Sequence, residues 1–179
     1  GVYHGKYAGS FGDLATTSFF PAKPLGCYGD GGAIFTDRED WAKLLSSLRV
    51  HGKGSGKYDN VRIGMNSRLD TLQAAVLQVK LAAFQKKELS EVNRIADIYT
   101  ESLKDCVKVP QIPEGLSSGW AQYSILLKDQ KERDDVEAYL KENGVPCMIY
   151  YRKGMHRQTA FAGLWHYGEE FLVSNRVCE

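Results

Sequence analysis

The chain has 179 residues and a mass of 20.0 kDa, a size that buries about two-thirds of the unfolded surface without disulfide support. Its 43% apolar and 25% charged residues are typical of a folded globular protein and exclude a disordered or fibrous chain. The net charge of +1 excludes a general attraction to nucleic acid or to an anionic membrane.

Hydropathy and cysteine spacing exclude two further classes of protein. No stretch reaches the roughly 18 consecutive apolar residues of a membrane span. The cysteines are scattered and form no Cys-x-x-Cys pair for metal or redox chemistry. They stand at Cys27, Cys106, Cys147 and Cys178. We therefore expect a cytoplasmic protein whose thiols are reduced and mostly buried.

The first half of the sequence predicts two short strands and a helix. Residues 14–20 and 32–36 are rich in strand formers. Asp37 is predicted to cap a helix with a continuous apolar face. That face consists of Trp41, Leu44, Leu45 and Leu48. Residues 52–57 contain no apolar side chain and several glycines, which predicts a mobile loop.

Two longer helices are predicted next. In the first, apolar residues recur at alternating steps of three and four, with a second stripe beside them, which predicts burial on much of its circumference. Its main stripe is Leu69, Leu72, Val76, Val79 and Ala83. The second helix has one apolar stripe, so its other side is expected to face water. That stripe is Val92, Ile95, Tyr99 and Leu103.

A smaller unit follows the break at Pro110 to Pro113. It is predicted as a strand at 123–127, a helix at 131–143 and a strand at 147–151. Asp129 and Glu132 have the spacing of a capping box, and Asn143-Gly144 before Pro146 is a strong helix stop. The chain opens on a polar, turn-rich stretch and closes in residues 169–179, which are helical in character without a stop, so we expect a fragment of a longer protein.

Spacing excludes several familiar kinds of site. His51 stands where the first glycine of a P-loop before Gly56-Lys57 would be required, and Ile34 stands where a dinucleotide fingerprint after Gly29 needs glycine. The histidines do not have metal-ligand spacing, and the sequence contains no Gly-x-Ser-x-Gly elbow. No metal site is therefore predicted.

The segment from Ser18 to Pro24 offers a candidate nucleophile. Lys23 lies between two prolines at the end of a predicted strand, and glycines at 29, 31 and 32 allow another group to approach the backbone. Lysine attacks carbonyl groups only as the neutral amine, so such a site must desolvate it or place cations nearby. A surface charge at Lys23 and a backbone-bonded hydroxyl at Ser18 are the ordinary alternatives, and spacing alone leaves both open.

These residues resemble the DegT-type (DegT/DnrJ/EryC/StrS) nucleotide-sugar aminotransferases, which depend on pyridoxal 5'-phosphate (PLP). The resemblance rests on the segment Ser18 to Lys23, the turn Gly29-Asp30-Gly31-Gly32 and the stretch Gly64 to Ala75. It implies an α/β fold like that of aspartate aminotransferase (fold type I). Residues 1–85 would be the C-terminal part of the large PLP-binding domain, and residues 86–179 a small α+β domain truncated at its end.

The resemblance also implies roles for single residues. Lys23 would bind PLP covalently and then move a proton during catalysis. Ser18 would donate to the PLP phosphate, and Asn66 would reach the phosphate held by the neighbouring subunit of a homodimer with a shared active site. A cap for a helix starting near Ser67 is the alternative for Asn66, and the two roles are compatible.

Three further residues are implied to bind substrate. Arg68 would pair with the acid group of a hexuronate, a salt bridge within the fold being the alternative. Tyr151 and His156 would lie near the nucleotide sugar, with packing or surface roles as their alternatives. Arg152 and Gly154 stand where relatives often carry proline, which is a departure in this substrate loop.

The implied function is transfer of an amino group, with glutamate as the expected donor, to a UDP-linked keto-hexuronate in surface polysaccharide biosynthesis. The expected partners are a nucleotide sugar, an amino acid and a second copy of the chain, without nucleic acid or membrane. Because family members are about twice as long, the chain alone is expected to bind PLP weakly and not to transaminate. One alternative is a catalytically silent fragment that acts only in association. Another is a lyase or dehydratase relative, which Lys23 disfavours.

Overall fold

The computed structural model describes residues 1–161, 163 and 171–179, which form two compact units. Unit 1 comprises Gly1–Ile98 and Gln111–Gln122, and unit 2 comprises Tyr99–Pro110 and Tyr123–Glu179. Each unit contains residues that the sequence places in a functional site. The division of the larger fold at residue 85 stays a prediction.

Unit 1 begins with a small antiparallel sheet. Strands β1 (Val2–Tyr3) and β2 (Lys6–Tyr7) form a tight hairpin, and β1 also pairs with the later strand β5 (Leu116–Ser117). His4 and Gly5 make the turn, and both have positive φ angles. The polar opening stretch therefore forms an ordered edge of unit 1.

A second hairpin carries the predicted lysine segment. Strand β3 (Ala15–Ser18) pairs antiparallel with β4 (Gly32–Phe35), and Ser18 lies opposite Gly32. The β-branched residues Thr16 and Thr17 favour this strand, as the sequence predicted. Residues 19–31 form the loop of the hairpin, and we call them the lysine loop.

Helix α1 (Glu39–Leu48) has the predicted position, but the predicted cap is wrong. Its N-cap residue is Arg38, and no side chain caps the helix, so Asp37 stands one residue too early. The Thr36 hydroxyl instead accepts the Arg38 backbone N–H at 3.1 Å. Residues 52–57 are irregular and their predicted mobility stays a prediction; the Gly54 N–H donates to the carbonyl of the nearby Asp59 at 2.6 Å.

Helix α2 (Thr71–Ala83) starts after the N-cap Asp70 and continues through a π-helical turn at Phe84–Glu88. The prediction that α2 is buried on much of its circumference is wrong for this chain. Leu77 is 8% exposed, whereas Leu72 is 80% and Val79 73% exposed. The reason is that one side of α2 has no packing partner among the described residues.

Helix α3 (Leu89–Leu103) contributes Leu89–Ile98 to unit 1 and its last turn to unit 2. Within unit 1, the amide of Asn93 accepts the Trp120 indole N–H at 3.1 Å. Within unit 2, the rings of Tyr99 and Tyr123 stack with their centroids 5.3 Å apart. The most buried residue of this helix is Ala96, which is not part of the predicted stripe. Ile95 and Tyr99, which are part of it, are about half exposed.

Unit 2 is organised by helix α4 (Gln130–Glu142), whose predicted ends are confirmed. The Asp129 carboxylate accepts the Glu132 N–H at 2.9 Å, and the Glu132 carboxylate accepts the Lys128 N–H at 2.7 Å. At the other end, Gly144 has a φ of +70°, and the Val145 N–H donates to the Leu140 carbonyl at 2.8 Å. A capping box and a glycine stop therefore fix the length of α4.

The strands predicted at 123–127 and 147–151 do not form. Leu126 makes only an isolated antiparallel bridge with Lys108, and residues 147–151 have no strand partner within the described part of unit 2. A β-former sequence without a neighbouring strand to share its hydrogen bonds stays irregular. Helix α5 (Leu172–Cys178) lies within the predicted helical end, of which residues 169 and 170 are outside the described residues.

Few side chains of the described residues are fully covered. The buried hydrophobic residues are Cys27, Leu77 and Ala96. Of the cysteines, Cys27 is buried, whereas Cys106 and Cys147 are exposed, so the expectation of mostly buried thiols is wrong. None of the helices formed by residues 1–161, 163 and 171–179 combines the length and apolar character that crossing a bilayer requires.

Candidate active site

The lysine loop has a constrained backbone. The Phe19 N–H donates to the Gly31 carbonyl at 2.7 Å, which extends the hairpin by one more pair. The Lys23 N–H donates to the Phe20 carbonyl at 2.8 Å and closes a turn in which Pro21 occupies the second position. The sequence predicted that Lys23 lies at the end of a strand. In the structure it lies instead at the end of a tight turn.

Cys27 is the central packing residue of the lysine loop and is 0% exposed. Its N–H donates to the Phe19 carbonyl at 2.8 Å, and its thiol lies 3.1 Å from both the Phe19 and the Gly29 carbonyl oxygens. Gly26 packs so closely that an added Cβ would lie 2.6 Å from the Phe20 carbonyl oxygen. These contacts leave the loop little room to change shape.

Ser18 ends strand β3 beside the lysine loop, and its side chain is exposed. Its Oγ accepts the Phe20 N–H at 3.1 Å. Because this bond uses an oxygen lone pair, the hydroxyl proton is free to donate to another group. Ser18 thus fits the part of a phosphate donor, with the lysine five residues further along the same hairpin.

Lys23 itself is exposed in this chain. Within the residues that the structure describes, its side chain has no ion-pair or hydrogen-bond partner. Any desolvation of its amine must therefore come from groups outside the described residues.

Asn66 lies on a segment that is fixed to the end of α1. The Ser67 N–H donates to the Arg49 carbonyl and the Met65 N–H to the Leu48 carbonyl, both at 2.9 Å. Asn66 forms an antiparallel bridge with Val50, and its side chain is exposed. The next helix starts at Thr71, so Asn66 does not cap it, and that alternative is wrong.

Arg68 is also exposed, and no acidic side chain of the described residues pairs with it, which argues against the salt-bridge alternative within this chain. Its neighbour Leu69 packs on the lysine loop, since Leu69 Cδ1 would lie 2.9 Å from a Cβ at Gly31. Unit 1 therefore brings the segment of Arg68 against the loop of Lys23.

In unit 2, Tyr151 is 67% exposed, and its ring meets the edge of the Tyr150 ring. The next residue, Arg152, donates to the Asp134 carboxylate at 3.0 Å and to the Glu137 carboxylate, both on helix α4. Bonds from Arg133 and then from Arg152 hold the pKa of Asp134 below its ordinary value. The same carboxylates, Glu137 first, raise the pKa of Arg152.

His156 lies in a short 3-10 helix at Met155–Arg157 and is half-buried. Its Nε2 lies 2.9 Å from the Asn175 amide oxygen, and its ring packs on Phe171 with the centroids 4.6 Å apart. Through these contacts, His156 ties the 3-10 helix to α5. A substrate contact by His156 stays a prediction.

Sequence reasoning gave no role to two residues that shape this site. The sequence predicts only a buried thiol at Cys27, and Gln73 falls within the motif Gly64 to Ala75 without a role of its own. The Gln73 amide oxygen accepts the Tyr28 N–H at 2.7 Å across a separation of 45 positions. No local sequence signal indicates this contact, because its two partners meet only in the fold.

The chain matches the DegT/DnrJ/EryC1/StrS aminotransferase family over residues 1–179. It belongs to this family. The aminotransferases of the family are PLP-dependent enzymes, which confirms the family resemblance and the cofactor class that it implied. Ser18, Lys23, Asn66, Arg68, Tyr151 and His156 are not tested by this match, and their roles stay predictions.

Curated relatives share this assignment. The chain is 42% identical over 161 residues to the UDP-2-acetamido-2-deoxy-3-oxo-D-glucuronate aminotransferase of Pseudomonas aeruginosa, covering 89% of this chain and 44% of the relative. It is 36% identical over 163 residues to the UDP-N-acetyl-3-dehydro-alpha-D-glucosamine 3-aminotransferase of Acidithiobacillus ferrooxidans, covering 89% and 42%. The chain thus spans less than half the length of these relatives.

Solved structures confirm the fold class. A DegT/DnrJ/EryC1/StrS aminotransferase from Brucella abortus is 52% identical with a TM-score of 0.84, over 89% of this chain and 42% of that chain. The S. venezuelae protein DesV, solved in complex with a ketimine intermediate, is 28% identical with a TM-score of 0.89, over 99% and 47%. The chain therefore has the fold of a part of the α/β PLP-dependent aminotransferases, less than half of the length of each solved chain.

Proposed function

We propose that this chain is the C-terminal part of a PLP-dependent enzyme that transfers an amino group, with glutamate as donor, to a UDP-linked keto-hexuronate. The product would serve surface polysaccharide biosynthesis. The observation that carries this proposal is the hairpin β3–β4, which places the Ser18 hydroxyl and Lys23 at one constrained loop. The likeness to the Pseudomonas aeruginosa glucuronate aminotransferase supports the substrate class.

The residues of the hairpin fit PLP at two points. The free hydroxyl proton of Ser18 suits a phosphate oxygen, and the exposed amine of Lys23 suits the cofactor aldehyde. When bound, PLP supplies the electron-withdrawing ring on which amino-group transfer depends. The acidic partner of that ring and the remaining phosphate donors would belong to the part of the enzyme outside this chain.

Lys23 would have two tasks in the reaction. Its amine must first be neutral to bind the cofactor, which requires that other parts of the enzyme remove water from an amine that is exposed in this chain. Once substrate displaces it, Lys23 Nζ would hold and return the proton that moves during transfer. The rigid turn at Phe20 to Lys23 would keep that nitrogen within reach of the reacting carbon.

Three residues would take part in substrate recognition. The guanidinium of Arg68 is free among the described residues and forms the planar fork that binds a carboxylate, so we assign it to the acid group of the hexuronate. Tyr151 and His156 would contact the nucleotide sugar, with Tyr151 offering an exposed ring. His156 would act from a position fixed by Asn175.

The enzyme would work as a homodimer with a shared active site. The exposed apolar side chains of α2, with Leu72 at 80% and Val79 at 73%, form a face that water disfavours and a partner would cover. The exposed side chain of Asn66 would then reach the phosphate of PLP in the neighbouring subunit.

The same apolar face favours one second candidate, in which the chain acts only by association and has no chemistry of its own. In that case the face on α2 would bind a partner, while Lys23 would be a surface charge. The two candidates differ in whether Lys23 matters for turnover.

Turnover by the enzyme that contains this chain tests the proposal. A UDP-linked 3-keto-hexuronate and glutamate are supplied with PLP, and the amino sugar is measured. We expect Lys23→Ala to abolish product, because the side chain that binds PLP and moves the proton is absent. Lys6→Ala, a second exposed lysine of unit 1, is the matched control and should retain activity.

Equal turnover by Lys23→Ala and the unaltered enzyme would contradict the proposal. Arg68→Lys refines the substrate assignment, since it keeps the charge but loses the two-pronged geometry. We expect a rise in KM of about tenfold for the hexuronate. The KM for a neutral keto-sugar should be unchanged in Arg68→Lys.

A further inference from the structure

Gln73, on the first turn of α2, makes a hydrogen bond that crosses unit 1. Its side-chain oxygen accepts the Tyr28 N–H at 2.7 Å. Gln73 is half-buried and lies five residues after Arg68. A backbone N–H in an irregular loop needs an acceptor, and here a side chain from a distant helix supplies it.

Other contacts join α2 to the same part of the lysine loop. The Gln73 amide nitrogen would lie 3.3 Å from a Cβ at Gly29, so glycine allows the amide to rest on the loop backbone. The Lys80 ammonium lies 5.5 Å from the centroid of the Tyr28 ring, which is within the range of a cation–π contact. Helix α2 therefore holds Tyr28 and Gly29 of the lysine loop at more than one point.

The loop is stiff enough to pass this restraint on to Lys23. Cys27, adjacent to Tyr28, is fully buried; its N–H donates to the Phe19 carbonyl, and its thiol lies 3.1 Å from the carbonyl oxygens of Phe19 and Gly29. Gly26 is packed against the Phe20 carbonyl, which in turn accepts the Lys23 N–H. A shift of the backbone at Tyr28 must therefore move the turn that carries Lys23.

We propose that Gln73 is a positioning residue that fixes Lys23 relative to Arg68. Its side chain holds the lysine loop against the first turn of α2. The segment that contains Arg68 leads directly into this helix. Its role in turnover rests on the function proposed above, in which Lys23 performs the chemistry and Arg68 holds the substrate. Its role in docking the loop does not. The two parts can be tested separately.

The docking part is tested by amide hydrogen exchange, resolved by residue, on the enzyme that contains this chain, in the absence of PLP. Gln73→Met keeps the length of the side chain but removes the acceptor, so exchange at the Tyr28 N–H should rise at least tenfold. Gln73→Glu keeps an acceptor oxygen and should preserve the protection. Gln78→Met is the control, since Gln78 is an exposed glutamine of the same helix with no partner among the described residues.

Unchanged protection of the Tyr28 N–H in Gln73→Met, or equal loss in Gln78→Met, would overturn the docking role. Exchange in helix α4 of unit 2 reports general unfolding. A variant that loses protection there as well is replaced by Gln73→Leu, for which selective loss at the Tyr28 N–H supports the proposal and retained protection contradicts it.

The catalytic part is tested on the enzyme that contains this chain. We measure kcat, normalised to the fraction of enzyme that carries PLP on Lys23, together with KM for the UDP-sugar. Gln73→Met should lower kcat at least tenfold with KM changed less than threefold, because a misplaced amine slows chemistry while Arg68 still binds. Gln73→Glu should recover most of kcat.

A merely structural role would lower the amount of labelled protein and leave kcat per labelled site unchanged, and that result would overturn the catalytic part. If the unaltered enzyme fails to carry PLP on Lys23, the proposed function fails instead. The exchange result at Tyr28 would still stand or fall by itself.

Discussion

The lysine loop and the segment of residues 147–152, which we call the tyrosine segment, carry predicted site residues by different physical means. The lysine loop is held by short backbone hydrogen bonds around the fully buried Cys27. The tyrosine segment is held on α4 by the ion pairs of Arg152, whose side chain is about half exposed.

This difference separates two kinds of constraint. Close packing of backbone is insensitive to salt and pH and fails only when a contact atom is displaced. Exposed ion pairs are screened by salt and lost when one partner is neutralised. Lys23 is proposed to place a reacting nitrogen, and close backbone packing suits that task. Tyr151 is proposed to contact a nucleotide sugar, and a segment held by exposed ion pairs suffices for that.

The largest effect is expected from Gly26→Ala in the lysine loop. The added Cβ would lie 2.6 Å from the Phe20 carbonyl oxygen and 2.7 Å from that of Pro21, and backbone at both points cannot yield easily. We expect a loss of about 1–3 kcal/mol in the free energy of unfolding, measured by urea titration. Gly119→Ala is the control, because no atom lies within 4 Å of its added Cβ. Equal stability of the two variants would show that the loop is not closely packed.

A smaller effect is expected where α4 supports the tyrosine segment. Asp129→Ala removes the acceptor of the Glu132 N–H and should cost about 1 kcal/mol in the free energy of unfolding. Asp37→Ala is the matched control, since Asp37 precedes the N-cap of α1 and does not cap it. A loss at Asp37 as large as that at Asp129 would contradict the assignment of the caps.

The smallest effect concerns pH. The pKa of Asp134 is lowered in the folded chain, first by Arg133 and then by Arg152, so its ionised form stabilises the fold. This contribution is complete above the ordinary pKa of 3.8 and is lost as the pH falls below it. We expect the NMR chemical shifts of the tyrosine segment to move toward random-coil values as the pH falls below 3.8, and as salt is added at neutral pH.

Arg152→Gln provides the comparison for this titration. It should move those chemical shifts toward random-coil values at neutral pH and remove most of their dependence on both pH and salt. The lysine loop should respond to neither. A salt-dependent lysine loop, or a tyrosine segment that is indifferent to acid, would remove the distinction between the two regions.

Local sequence features predicted the local parts of this fold. The strands of the second hairpin, the position of α1 and both ends of α4 follow from residue type and spacing within a few positions. The family resemblance also followed from ordered motifs, which the match over residues 1–179 confirms.

Features that depend on distant partners were not predictable in this way. Strands at 123–127 and 147–151 failed because no neighbouring strand pairs with them in the described part of unit 2. The apolar stripe of α2 indicated burial, but Leu72 and Val79 are exposed because nothing among the described residues covers them. The contact of Gln73 with Tyr28 spans 45 positions and has no local signature.

The candidate site divides along the same line. Ser18 and Lys23 share one hairpin, so their proximity follows from the short sequence between them. The contact between the lysine loop and the segment of Arg68 depends on the close approach of Leu69 to Gly31, which only the fold reveals. How the constrained loop serves catalysis depends on whether Lys23 is the residue that binds PLP.

The most direct test is to incubate the enzyme that contains this chain with PLP, reduce it with borohydride, and locate the bound pyridoxyl group by peptide mass spectrometry. We predict that the group is found on Lys23 and that Lys23→Ala carries none. A pyridoxyl group on another lysine, or equal labelling of Lys23→Ala, would contradict the account.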